Sequence, residues 1–377
     1  PYNPELLDLQ FEEIRQLLPA DDLLHEAMDR AATVMRAGDA ETVDVEALRA
    51  AIAAVRAHIS ETYRLHHRVI RNRRHAIEKQ RLDDQGLLTP FEFTGRTRPK
   101  ITRLDSGEVT SGTNAIAEWV NRCAAAVLDE GIDAASYGRV LGVLVSRLGG
   151  PVQDLQSTLA YRVHGGDAGT LLPAEKDLLD SAPVLPFEPK ILDALGFTNA
   201  DGLAGLAEAI AKRCRPKQRA IVFCGRGVLA ARLVGLMAGA KMRAYGHLAE
   251  QTETQREEST SEWRATGGLL VVDETGDVGR NFQEADLAFH VRVPANPNSL
   301  EQRIGRVDRY GNRSPAQQYV IADGDPDGLP TAWIKVLASG FGIFSESIST
   351  LQEVVDDLAG DLWTTVLTDG IEGFLGR

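Results

Sequence analysis

Leu269-Leu270-Val271-Val272-Asp273-Glu274-Thr275-Gly276-Asp277-Val278-Gly279-Arg280-Asn281-Phe282-Gln283 reads as an apolar strand running into a polar turn that contains glycine. Consecutive aliphatic residues without polar alternation predict a strand buried on both faces, the usual condition of a parallel sheet. The same pattern recurs on both sides. Apolar runs at 220–224 and 242–245 precede helical patterns over 227–240 and 252–265, and runs at 287–293 and 319–321 flank a helical stretch at 299–309. Short apolar strands alternating with helices predict βαβ units. Residues 215–325 therefore form an α/β lobe with a parallel sheet.

The flanking regions read differently. In 5–60, Val45, Leu48, Ile52, Val55 and Ile59 recur at helical steps behind a candidate N-cap, Asp44. Two more helical patterns cover 112–130 and 136–162, broken near Gly149-Gly150-Pro151, and helices return over 329–338 and 345–363. The expected organisation is a helical region or protrusion at 1–165 with a basic segment at 64–103, a connection at 166–214, the α/β lobe at 215–325, and a helical extension at 326–377. A chain of 377 residues with 43% hydrophobic content can build such cores.

No stretch of 18 apolar residues and no lipidation signal occurs, so a cytoplasmic protein without a membrane partner is expected. Cys123, Cys214 and Cys224 are scattered and odd in number, which favours buried free thiols over disulfides or a metal site. The first residue is Pro1, which suggests processing or a fragment.

A net charge of −13 argues against a general nucleic-acid coat. The charge is unevenly placed: residues 64–103 carry 11 Lys or Arg against four acidic residues, a net +7 that leaves −20 elsewhere. Prolines at 90 and 99 discourage a continuous helix through this segment.

The chemistry concentrates in Pro297-Asn298-Ser299-Leu300-Glu301-Gln302-Arg303-Ile304-Gly305-Arg306-Val307-Asp308-Arg309-Tyr310-Gly311. Asn298 with Glu301 suggests a capping box, and Gly311 a helix stop. Gln302, Arg306 and Arg309 share one face, Ile304 and Val307 point mostly away, and Gly305 leaves the surface open. Arginines on a short rigid helix suit an anion with charge spread over several oxygens, such as a phosphoryl group in transfer. A solvated helix with salt bridges to Glu301 and Asp308 would read the same way. Asp273-Glu274 after a strand could also be a Mg²⁺-holding pair, but that role needs a phosphate-gripping loop, and none of the eight lysines precedes Ser or Thr.

These segments also carry a family resemblance. Gln302-Arg303-Ile304-Gly305-Arg306-Val307-Asp308-Arg309 resembles motif VI of superfamily 2 helicases, and with Glu301 in front it is similar to Swi/Snf-type ATPases of the RapA-like kind. The stretch 269–283 resembles motif V, with Gly279-Arg280-Asn281-Phe282-Gln283 especially RapA-like. Arg219-Ala220-Ile221-Val222-Phe223-Cys224-Gly225 resembles motif IV more weakly, and 246–263 and 341–354 fit the family's connecting segments.

The resemblance implies a RecA-like second motor lobe. Arg306 and Arg309 would be arginine fingers, Asn281 would lie near the nucleotide ribose, and the turn from Gly276 to Gly279 would face the cleft between lobes. Gln302 and Arg303 would join that nucleotide-binding surface, Arg303 as support. The cofactor implied is ATP with Mg²⁺, the metal being held by a first lobe absent from this chain. His67-Arg68-Val69-Ile70-Arg71-Asn72-Arg73-Arg74 resembles the basic segment after the first lobe. Arg71, Arg73 and Arg74 there would contact a nucleic-acid backbone, or else form a solvated or salt-bridging surface. The partners implied are double-stranded nucleic acid, DNA before RNA, and either RNA polymerase or a phage-defence system. The alternative is a protein-binding scaffold built on a degenerate lobe.

Overall fold

The computed structural model describes residues 11–12, 14–15, 22–36, 44–62, 96, 98–104, 107–166, 171–196, 202–215, 217–240, 242–277, 281–308, 315–345, 348 and 352–376. The chain divides into two compact units, Pro1–Pro90 and Phe91–Arg377. In the first, helices α1 (Asp22–Arg36) and α2 (Val45–Thr62) enclose a small core of Leu24, Ala27, Met28, Ala31 and Val55. Asp44 caps α2 as its sequence position predicts, its Oδ1 accepting from Glu46 N at 3.1 Å and Ala47 N at 3.0 Å.

The second unit is built on six parallel strands: β1 (Lys100–Leu104), β2 (Arg219–Phe223), β3 (Ala244–His247), β4 (Gly268–Val272), β5 (Leu287–His290) and β6 (Gln317–Asp323), in the order β1-β6-β5-β2-β4-β3. The α/β parallel-sheet fold expected for 215–325 is present. Strand pleating divides the aliphatic runs between two cores. Ala220, Val222, Leu269 and Val271 pack under α8 (Leu203–Ala211) and α9 (Leu229–Gly239). Ile221, Phe223, Leu270 and Val272 face the opposite side, where Trp263 of α10 (Glu253–Thr266) and Val307 of α11 (Pro297–Val307) close the layer.

Strand β1 departs from the sequence reading, which placed the basic segment 64–103 inside a helical region. Lys100–Leu104 instead pairs in parallel with β6 and forms a sheet edge. Only Thr102 is buried in it and Ile101 is exposed, as suits an edge strand that needs little of its surface covered. Helices α3 (Gly107–Glu130), α4 (Ala134–Val145), α5 (Val152–His164), α6 (Pro173–Leu179) and α7 (Glu188–Leu195) follow, so 166–214 holds three helices, α6 to α8, where a connection was expected.

Helices α3 to α7 share one core with α12 (Leu329–Lys335), α13 (Gln352–Thr368) and α14 (Gly370–Leu375), in which Trp119, Leu144, Trp333, Trp363 and Phe374 are buried. Cys123 and Cys224 are buried free thiols, while Cys214 is half-buried; burial pushes the first two up to about 12 and Cys214 up to about 11.

His290 ends β5 in a fully buried position, stacked on Phe223 at 5.4 Å, with Nε2 2.8 Å from Gln318 Oε1. Burial pushes its pKa down from 6.5 to about 4, with the Gln318 contact opposing and Arg303 reinforcing the shift. Above 6.5 both folded and unfolded chains hold it neutral; between 6.5 and about 4 only the unfolded chain takes the proton, so stability falls as pH falls through that window. The expected loss approaches about 1.4 kcal/mol per pH unit from this one group. Melting curves from pH 7 to 4.5 check it: His290→Gln should flatten the slope, and an unchanged slope would remove His290 as its source.

Candidate functional site

All six strands are parallel, so their C-terminal ends share one edge, where open α/β sheets ordinarily place ligands. The turn after β4 forms a short 3₁₀ helix, Glu274–Asp277. Asp273 fixes it: Oδ1 accepts from Thr275 N at 2.9 Å and Thr275 Oγ1 at 2.6 Å, and Oδ2 accepts from Ala249 N at 2.6 Å. That carboxylate serves the loop's own groups, while Glu274 pairs with Arg226 at 2.9 Å, so the Mg²⁺-holding reading of Asp273-Glu274 finds no support here. Gly276 is buried against β4, and a Cβ there would lie 2.6 Å from Val272 Cβ. Its lack of a side chain lets the turn close on the strand rather than on a ligand. Gly279 lies outside the described residues. Asn281 is half-buried, and its Oδ1 accepts from Gln283 N at 3.3 Å while its carbonyl accepts from Arg264 Nη2 at 2.9 Å.

Helix α11 starts earlier than its sequence suggests. Asn296 is the N-cap, its side chain accepting from Asn298 N at 2.7 Å, and Pro297 occupies the first turn. Asn298 therefore lies inside the helix, and Glu301 does not complete a capping box. Arg96 holds Glu301 instead, with Nη1 to Oε2 at 2.7 Å and Nη2 to Oε1 at 2.9 Å, and reaches Asp308 with Nε at 3.2 Å. Burial would lower the Arg96 pKa, but these two carboxylates hold it above its ordinary value. The two acids read from the sequence as salt-bridge partners on this helix thus engage Arg96. Gly311 lies outside the described residues.

Arg303 is a strut rather than a ligand-facing group. It is 3% exposed, bonds Asp277 through Nε to Oδ1 at 2.6 Å and Nη2 to Oδ2 at 2.8 Å, and donates from Nη1 to the Arg292 carbonyl at 2.6 Å. Its guanidinium also lies over the Phe223 ring. The helix is pinned elsewhere too. Phe282 N donates to the Arg306 carbonyl at 2.9 Å, while the indoles of Trp333 and Trp363 donate to the Pro294 and Ala295 carbonyls just before α11. Leu300 and Ile304 enter the helical core and Val307 the sheet core. What remains outward is exposed Gln302, half-buried Gly305 with open space over its Cα, and half-buried Arg306. The structure thus brings Gln302, Gly305 and Arg306 onto one stripe. Arg309 lies outside the described residues, as do Arg71, Arg73 and Arg74.

A buried polar network, not anticipated from the sequence, supports these turns. Arg292 Nη2 meets Asp154 Oδ2 at 2.7 Å, and Asp154 Oδ1 accepts from Val228 N at 3.0 Å after the turn Gly225-Arg226-Gly227, whose glycines adopt φ of +64° and +116°. Arg226 reaches Glu175 at 3.7 Å as well as Glu274, and Arg147 joins Glu175 at 2.7 Å. Three helical-region residues, Arg147, Asp154 and Glu175, are thereby tied to loops at the C-terminal edge. The one signal in the sequence was Arg292 inside an otherwise apolar run, since a buried guanidinium requires a partner.

Residues 203–311 match the helicase conserved C-terminal domain. The RNA polymerase-associated protein RapA of Vibrio vulnificus (strain YJ016) is 34% identical over 95 residues, which are 25% of this chain and 10% of that protein. RapA of Vibrio cholerae serotype O1 (strain M66-2) is 33% identical over 105 residues, 28% of this chain and 10% of the relative. Among solved structures, the C-terminal part of the Fun30 ATPase domain is 10% identical with a TM-score of 0.40, covering 74% of this chain and 99% of that one. The chain carries a helicase-type motor lobe. Its similarity to RapA agrees with the Swi/Snf-type superfamily 2 resemblance carried by the same residues. It spans about 10% of the length of the curated relatives it matches.

Proposed function

We propose that this lobe works in an ATP-dependent translocase of double-stranded nucleic acid, DNA in the first instance, by presenting Arg306 and Arg309 to ATP gripped by another lobe. The observation that carries the reading is the outward stripe of Gln302, Gly305 and Arg306 on a helix whose inner side is locked by Arg303 and Arg96. A cation and an amide on a rigid, open surface fit a triphosphate. ATP would supply the transferable phosphoryl group, and Mg²⁺ would be held by the other lobe. Arg306 would stabilise charge that develops on the phosphoryl oxygens, Asn281 would lie toward the ribose, and Arg303 would position the helix without touching the nucleotide. Closure of two lobes would complete the site. The similarity to RapA, a protein named for its association with RNA polymerase, makes polymerase one candidate partner; a phage-defence complex is the other.

The experiment is a steady-state ATPase assay with saturating duplex DNA. This chain alone is expected to stay at background because it contains no phosphate-gripping loop. Addition of an ATP-gripping lobe, in trans or within one polypeptide, is expected to give DNA-stimulated turnover. Turnover by this chain alone at about 1 per second would overturn the division of labour between lobes.

The basic segment gives a separate expectation. Charge reversal at Arg71, Arg73 and Arg74 should weaken duplex binding and flatten its salt dependence by about 0.9 in slope per lost phosphate contact. An unchanged slope would leave that segment as an ordinary surface.

A further inference from the structure

The opposite edge of the sheet carries cations that the motor reading does not use. Gln317, Leu287 and Ala220 pair across β6, β5 and β2, one residue beyond the Arg219–Gly268 pair, so these strand starts lie nearly level, while Lys100, opposite Tyr319, lies two residues further along. Six strands about 4.8 Å apart make this edge about 24 Å long. Arg98, Lys100, Arg215, Lys217 and Arg243 lie at or just before strand starts, and all five are exposed. Among the described residues none of the five forms an ion pair. The two carboxylates at neighbouring strand starts are already engaged: Glu284 pairs with Arg264 at 3.3 Å, and Asp286 accepts from Arg219 N at 2.8 Å.

Helix C-termini also gather here, and their dipoles explain nearby cations in or directly after a last turn, such as Lys212 and Arg264. That effect fades within a turn and does not explain the five.

Two of the five, Lys100 and Lys217, are held in place by their surroundings. Lys100 Nζ and Arg213 Cζ lie 5.7 and 5.8 Å from the centroid of one ring, Tyr319, itself stacked on Phe289 at 4.9 Å. Lys217, at φ 66°, is the one non-glycine residue with positive φ among those described, and its turn is seated against Gly267. Such a backbone disfavours any side chain, yet a charged one stands there.

We propose that this N-terminal edge binds the sugar-phosphate backbone of nucleic acid, apart from the turns at the C-terminal edge. Duplex DNA offers a regular charge about every 1.7 Å of axis, and exposed cations carried on the starts of three strands of one sheet present complementary charge to such a backbone. The inference stands apart from the ATPase reading, since it requires neither Arg306 nor a second lobe.

The test is fluorescence anisotropy of this chain with a labelled 30-base-pair duplex between 50 and 200 mM salt. Arg215→Ser/Lys217→Gly/Arg243→Ser should weaken binding on the order of 10-fold and lower the salt slope by about 2 to 3. Lys217→Gly alone should lower the slope by about 1 without lowering Tm, because glycine accepts the left-handed backbone, and this separates binding from folding. An unchanged slope in the triple variant overturns the proposal. So does equally tight binding of poly-glutamate through the same residues, which would assign the edge to an acidic protein. Loss of binding in the Arg71/Arg73/Arg74 variant alone would support the basic segment while removing the edge.

Discussion

Replacing Arg306 with Ala, in a protein that includes the ATP-gripping lobe, is expected to lower kcat by roughly 10² or more with little change in nucleotide affinity. An arginine finger acts on charge that appears during transfer, so its loss falls on kcat rather than on ground-state binding. The fold should tolerate the change. Arg306 sits on the outward stripe, and its backbone carbonyl keeps the Phe282 N bond whatever the side chain. Arg306→Lys should stay strongly impaired, because lysine keeps the charge and loses the planar fork. Arg309→Ala is expected to behave alike. The check is DNA-saturated ATPase turnover beside a thermal melt. Near-normal turnover in both alanine variants, with Tm unchanged, would sink the finger role and favour a scaffold built on a motor lobe.

The strands β2, β4 and β5 were legible because short apolar runs fill most of each and alternate with helical patterns, as a sheet covered on both faces requires. Strand β1 was not, since an edge strand needs little apolar surface and Lys100-Ile101-Thr102-Arg103 looks like loop. The outward stripe of α11 followed from helical spacing, whereas its start was misplaced: Asn298 with Glu301 imitates a capping box, but Pro297 in the first turn moves the cap to Asn296. Pairings across long separations left little local trace beyond the position of Arg292 in its run. Arg96 meets Glu301 from 205 residues away, and Asp154 meets Arg292 from 138. Arg303 shows the cost of reading one helix alone. Beside Arg306 it looks like a ligand-binding arginine, yet it lies one residue off the outward face, and the core takes it.

The largest effect on stability is expected from Asp154. Its carboxylate and the Arg292 guanidinium are 3% and 2% exposed, so each depends on the other for compensation in a low-dielectric interior. Asp154→Asn keeps the shape and an acceptor for Val228 N but removes the counter-charge, leaving the buried guanidinium uncompensated. Breaking such a pair from one side costs about 3–5 kcal/mol, which for a unit of this size corresponds to a fall in Tm on the order of 10 °C. Replacing both partners, as Asp154→Leu/Arg292→Met, should recover much of that loss, because a pair of apolar groups leaves no charge uncompensated. A single variant that melts within about 2 °C of wild type would mean that water reaches Arg292 and the network is decorative. The functional consequence follows from what Arg292 touches. Its carbonyl accepts from Arg303, and Arg303 holds α11, so the helical region steadies the helix bearing Arg306 through two buried guanidinium groups. At a temperature where the variant remains folded, Asp154→Asn should therefore lower ATPase turnover in a protein with both lobes, and the double variant should restore stability more fully than turnover.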